Sequence, residues 1–141
     1  MKLGFTGTRN GLTVKQAEAL YEVFKKYEPT EFRHGDCVGA DGEAADLIDI
    51  LCNGSCKIWM HPPTIPDHRA FKVNLPNTTI LPEKDYLPRD YDIVDGSDRL
   101  IACPKGKKEL VRSGTWTTVR YARKKKKQIT IVYPDGTVKE E

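Results

Sequence analysis

Apolar positions in this chain switch repeatedly between a spacing of two and a spacing of three to four. From Lys2 to Thr6 they fall at Leu3 and Phe5 and stop at Gly7, the pattern of a short strand running into a turn. Leu12 to Tyr27 follows with Val14, Ala17, Leu20, Tyr21 and Phe24 at helical spacing and Thr13 as its N-cap. The pair then repeats. Thr30 to His34 predicts a second strand, Gly35 to Gly39 a glycine-bearing loop, and Ala40 to Leu51 a helix that packs through Ala44, Ala45, Leu47, Ile48 and Leu51.

Lys57 to Met60 predicts a third strand, closed by His61, Pro62 and Pro63 because proline cannot continue a paired central strand. From Pro62 to Pro88 the pattern lapses into prolines, polar residues and aromatics. This reads as an irregular surface excursion with one short extended piece at Thr78 to Leu81. Asp90 to Gly96 predicts a short helix, Arg99 to Cys103 a fourth strand ended by Pro104, and Lys105 to Arg112 a loop. Ser113 to Lys126 predicts a helix with Trp116, Val119 and Ala122 along one side, and Gln128 to Tyr133 a fifth strand. After the turn Pro134-Asp135-Gly136, Thr137 to Glu141 is a tail or a hairpin return.

Strands alternating with helices predict an α/β, Rossmann-like three-layer fold, with a parallel sheet of about five strands and helices on both faces. No repeat or linker divides the chain, so residues 1–141 are expected to form a single domain around one core. Apolar residues make up 38% of the sequence, yet no run approaches the roughly 20 residues of a membrane helix, so no membrane partner is expected. The start MKLGFTG lacks the pattern of a signal peptide, and a cytoplasmic location is expected. Cys37, Cys52, Cys56 and Cys103 show neither CxxC pairs nor a zinc-site quartet and are read as reduced, buried thiols.

Chemistry is expected in the loops that follow the strands, because ligands of open α/β sheets bind at the strands' carboxyl ends. Three such loops are rich in Gly, Ser and Thr: Gly7-Thr8-Arg9, the run His34-Gly35-Asp36 to Gly39-Ala40-Asp41, and Arg112-Ser113-Gly114-Thr115. Glycine lets backbone approach a ligand, free N–H groups at a helix start donate to phosphate, and Arg9 and Arg112 supply positive charge. Singly, each loop reads as a turn and a cap; together on one edge they predict an anion site. The spacing matches neither a Walker A motif nor GxGxxG, and no cofactor is predicted. His61 and His68 are read as loop residues, and no metal is assigned.

The segments Gly4-Phe5-Thr6-Gly7-Thr8-Arg9, His34-Gly35-Asp36 with Gly39-Ala40-Asp41, Asp98 to Pro104, and Gly114-Thr115-Trp116-Thr117-Thr118 span nearly the whole chain. In order and spacing they resemble the SLOG superfamily of Rossmann-like domains, closest to its small single-domain bacterial and phage branch. That superfamily includes the DNA-processing protein A fold and the lysine-decarboxylase-like phosphoribohydrolases. The resemblance implies a nucleotide or nucleotide-derived small molecule as ligand. It does not imply turnover. The phosphoribohydrolases carry GGxGTxxE, and here Gly114 and Thr115 match its GT while no acid follows among Trp116, Thr117 and Thr118.

Binding by a sensor or sequestering domain is therefore the leading expectation, through Gly7, Thr8, Arg9, His34, Gly35, Asp36, Gly39, Asp41, Arg89, Ser113, Gly114 and Thr115. The alternative is N-glycosidic hydrolysis, with Asp36 or Asp90 replacing the missing glutamate and His34 or Arg89 assisting. Arg89 and Asp90 stand where the small branch resembles an Arg-Asn pair near the ligand. Asp41 serves equally as a pocket carboxylate or a first-turn partner of its helix dipole, and His34 equally as a phosphate donor or a strand-end residue bonded to backbone.

A third expectation is single-stranded DNA binding, by analogy with the DNA-processing protein and from the net charge of +3. Much of that charge lies in Arg123 to Lys127, at the end of a helix opposite the expected cleft, which favours a solvated helix terminus over a nucleic-acid patch. Trp59 and Trp116 are expected in the core, and Tyr86 and Tyr91 as surfaces for stacking on a base. A homo-oligomer is compatible with the sequence.

Overall fold

A computed structural model describes residues 1–141. In chain order the elements are β1 (Lys2–Gly7), α1 (Val14–Tyr27), β2 (Glu31–His34), α2 (Ala40–Cys52), β3 (Lys57–Met60) and β4 (Thr78–Ile80), then α3 (Tyr86–Asp95), β5 (Arg99–Cys103), α4 (Gly114–Lys124), β6 (Gln128–Val132) and β7 (Val138–Glu140). The strands form one sheet in the order β4-β3-β2-β1-β5-β6-β7, parallel except for the β6–β7 pair. The fold is Rossmann-like α/β, with seven strands rather than five.

Both additional strands lie at the edges. Thr78–Ile80 is too short to stand as a strand on its own pattern, but it pairs in parallel with Ile58–Met60 and becomes the outer strand. Val138–Glu140 returns antiparallel along Thr130–Val132 after the turn at Pro134–Gly136, so the tail is a hairpin return.

Local chemistry accounts for the helix limits. Thr13 and Gln16 form a reciprocal capping box at the start of α1, each side chain accepting from the other's backbone N–H. The Gln16 amide is buried and donates to the carbonyls of Pro104 (3.0 Å) and Val132 (2.8 Å), tying α1 to the chain beyond β5 and β6. α3 starts at Tyr86, four residues before the expected Asp90. Pro88 is its third residue, where the missing N–H lacks an intrahelical acceptor anyway.

The core has two parts. Leu3, Phe5, Phe24, Phe32, Ile58 and Ile101 pack with α1 and α2 on one face of the sheet. Val94, Leu100, Trp116, Val119, Ile129 and Ile131 pack on the other, beneath α3 and α4. α3 and α4 lie over β1, β5 and β6. Beyond them, on β2 and β3, Glu31, Arg33, Lys57 and Trp59 are only half-buried. The expectation of a buried Trp59 is thereby corrected. The Arg33 guanidinium (5.0 Å) and the Lys57 ammonium (4.9 Å) both lie over its ring, and its N–H donates to Glu31. No helix is long and apolar enough to cross a membrane. All four cysteines are free.

Candidate functional site

The sheet order locates the site. From β1 the chain steps outward through β2, β3 and β4, then returns to the other side of β1 as β5, so the loops leaving β1 and β5 diverge and leave a crevice between them. A cleft of about 320 Å³ occupies it, lined by Gly7, Thr8, Arg9 and Asn10 after β1 and by Lys105, Leu110, Arg112, Ser113, Gly114, Thr115 and Trp116 after β5, with Tyr86 of α3 as a side wall.

The start of α4 forms one wall. Ser113 caps the helix by accepting from the Trp116 N–H (3.3 Å), and no acidic residue occupies the first turn. The backbone N–H groups of Gly114 and Thr115 have no acceptor within the helix and carry the positive end of its dipole. A Cβ at 114 would stand 2.1 Å from the Tyr86 hydroxyl, so any larger residue there requires the Tyr86 ring to shift. On the other wall, Arg9 is exposed, donates to His68 Nδ1 (3.3 Å) and lies 5.7 Å from the Tyr86 ring centre. No carboxylate lines the cleft, against three cations, Arg9, Lys105 and Arg112.

The loop after β2, expected in the same cleft, instead supports it from behind. Gly39 has φ +99° and passes so close to the first loop that a Cβ would sit 2.5 Å from the Arg9 carbonyl oxygen. Asp36 is fully buried and accepts from the Arg69 Nε (3.0 Å) and from the backbone N–H of Phe71 (3.2 Å) and Lys72 (2.9 Å). It anchors the excursion after β3 and lines no part of the cleft. His34 is equally buried. Its Nδ1 accepts from the Asp36 N–H (3.0 Å), which puts the proton of the neutral ring on Nε2, where it has no partner. Burial lowers its pKa to about 4.

Behind Tyr86 lies a buried charge network. Arg89 donates through Nη1 to the carbonyls of Gly35 (2.6 Å) and His61 (3.2 Å), and Nη2 faces the Cys37 thiol. Its Nε is 2.9 Å from Asp90 Oδ1, at ion-pair distance but off the hydrogen-bonding direction. Asp41 accepts from the N–H groups of Gly35 (2.9 Å) and Cys37 (3.3 Å), so it pins the loop after β2 from the first turn of α2. One guanidinium thus serves two carboxylates. Burial raises the Asp41 pKa to about 7 and that of Asp90 to about 6, with Arg89 opposing both shifts. Burial also pushes the Cys37 thiol up to about 11, which leaves it unreactive.

Of the residues expected at the site, Gly7, Thr8, Arg9, Ser113, Gly114 and Thr115 come together at the cleft. His34, Gly35, Asp36, Asp41, Arg89 and Asp90 are buried around it, and Gly39 packs against the first loop. Lys105, Asn10 and Leu110 line the cleft without having been singled out by residue type, although Lys105 follows a strand end where the position rule applies. Tyr86 is at the cleft, but Arg9 and Arg89 lie over its ring. Tyr91 is elsewhere, stacked on Tyr121 at 4.1 Å. His61, expected as an ordinary loop residue, is buried and accepts from Arg33 at 3.1 Å. No cluster of three or more His, Cys, Asp or Glu has the geometry to hold a metal. No protein-family model matches the sequence, and no curated protein matches it.

Proposed function

We propose that this protein binds a nucleotide or nucleotide-derived small molecule through its phosphate, in the cleft between the ends of β1 and β5. The observation that carries the reading is a crevice at the sheet's switch point lined by Arg9, Lys105, Arg112 and the N-terminus of α4, with no carboxylate among its walls. Helix N–H groups and arginine forks are the donors that suit phosphate oxygens. The SLOG resemblance points to the same ligand class.

The test is isothermal calorimetry with AMP and ADP on the wild type and on Arg112→Ala. The variant is expected to lose affinity, and since Arg112 is exposed its unfolding midpoint should not move. Affinity unchanged by the substitution would remove α4 and its approach from the site.

A second reading, N-glycosidic hydrolysis, rests on Asp90. This residue has a pKa near 6 and lies in the buried group beside Arg89 and Thr118, so it carries a proton in part of the molecules at neutral pH. Asp90 does not line the cleft, so this reading requires it to reach the departing base from the buried network. Chromatography of AMP and ADP incubations decides it, since free base that disappears in Asp90→Asn would make the protein a hydrolase.

A further inference from the structure

The cleft holds more positive charge than one phosphate requires, and it offers it from separate walls. Arg112 and the first N–H groups of α4 stand on one side, Arg9 on the other, and Lys105 where the chain leaves β5. None of the three side chains has a carboxylate within ion-pair distance, whereas Arg69 and Arg89, on the same end of the sheet, are each paired with an aspartate. Thr115 adds an independent sign. It lines the cleft at 7% exposure, and its hydroxyl makes no hydrogen bond within the chain, although the neighbouring Ser113 and Thr118 hydroxyls are both engaged. That hydroxyl is not sealed from solvent, which leaves it free to donate to an acceptor from outside.

The walls offer little to a base. Only three of the twelve lining residues are apolar. Trp116 is 3% exposed and belongs to the core, and guanidinium groups lie 4.9 Å and 5.7 Å from the centre of the Tyr86 ring. The one half-exposed aromatic ring in the lining, that of Tyr86, thus already has two guanidinium groups against it. A phosphate monoester carries a charge of about −1.5 to −2 at neutral pH, and a second phosphate takes this to about −3, the charge that matches three unpaired cations. Resting on the nucleotide-binding reading above, we infer that the cleft is a diphosphate seat: it recognises two linked phosphates and leaves the base outside.

Calorimetry of the full chain with phosphate, pyrophosphate, AMP, ADP and GDP tests this. ADP is expected to bind at least tenfold more tightly than AMP, pyrophosphate at least tenfold more tightly than phosphate, and GDP within about threefold of ADP. In Arg9→Ala the ADP-to-AMP affinity ratio should fall below about three, because one wall of the seat is lost. Pyrophosphate close to ADP would assign recognition to the diphosphate alone. ADP far tighter than both pyrophosphate and GDP would show that the base is read and overturn the inference. Equal binding of AMP and ADP would also overturn it while leaving nucleotide binding intact. Absence of binding by all five would overturn both readings together.

Discussion

Two polar regions adjoin at the carboxyl end of this sheet, and they treat charge in opposite ways. In the cleft, Arg9, Lys105 and Arg112 face solvent without acid partners. Behind it, Arg89 is 2% exposed and lies among Asp41, Asp90 and the carbonyls of Gly35 and His61. The cleft comes from loops that a position rule selects, whereas Arg89 and Asp90 stand on α3 and Asp41 in the first turn of α2. Burial separates their roles. A buried charge must be matched within the protein or its desolvation is left uncompensated, whereas an exposed one can wait for a ligand.

The comparison breaks most severely at Arg89. Arg89→Ala leaves Asp41 and Asp90 without their shared countercharge and two carbonyls without a donor. We expect a loss of about 3 to 5 kcal/mol in urea unfolding, the usual result of removing one partner of a buried charge group. A loss under 1 kcal/mol would mean that the network contributes little to folding.

The next effect is one of pH. Folded Asp41 keeps its proton to about pH 7, while the unfolded chain releases it near the ordinary 3.8. Between these values the native state binds more protons, so this residue's contribution to stability falls as pH rises, by at most about 1.4 kcal/mol per pH unit. His34, lowered to about 4, and His61, lowered to about 3, act in the opposite sense: the unfolded chain takes up their protons first, and stability falls as pH drops below 6.5. Burial is the main cause of each shift. Asp41→Asn removes only the first contribution and still accepts from Gly35 and Cys37. Measured against wild type, the variant should gain stability steadily from pH 4 to 7 and level off above. A pH-independent difference would show that Asp41 is ionised throughout.

The cleft side responds in binding and not in folding. Arg9→Ala is expected to weaken ADP binding by roughly 1 to 3 kcal/mol, the worth of a charge-assisted hydrogen bond, with urea stability changed by less than about 0.5 kcal/mol. Equal effects on binding and stability would place Arg9 with the structural network.

The smallest effect is expected at the other end of α4. Lys124, Lys125 and Lys126 are exposed, and Arg123 is already paired with Glu109 and Glu141. Replacing the three lysines with alanine should leave ADP affinity unchanged and alter stability by about 0.5 kcal/mol or less. A large loss of ADP affinity would mean that positive charge outside the cleft attracts the ligand.

Much of this architecture was legible without coordinates. The spacing of Leu3 and Phe5, the cap at Thr13 and the prolines after Met60 and Cys103 locate strands and helices through backbone rules that act within a few residues. The loops bearing Arg9 and Ser113–Thr115 could be chosen because a parallel sheet puts its ligands at the strands' carboxyl ends. Tertiary structure decided the rest. Thr78–Ile80 and Val138–Glu140 become strands only by pairing with β3 and β6, whose partners lie far off or beyond a turn. Glycines and acids in the loop after β2 look like ligand groups, yet Asp36 bonds to Arg69, Phe71 and Lys72, more than thirty positions along the chain. Whether a charged residue serves the fold or remains free depends on which distant groups the packing brings against it. Local sequence carries the residue's chemistry, and the three-dimensional contacts determine its use.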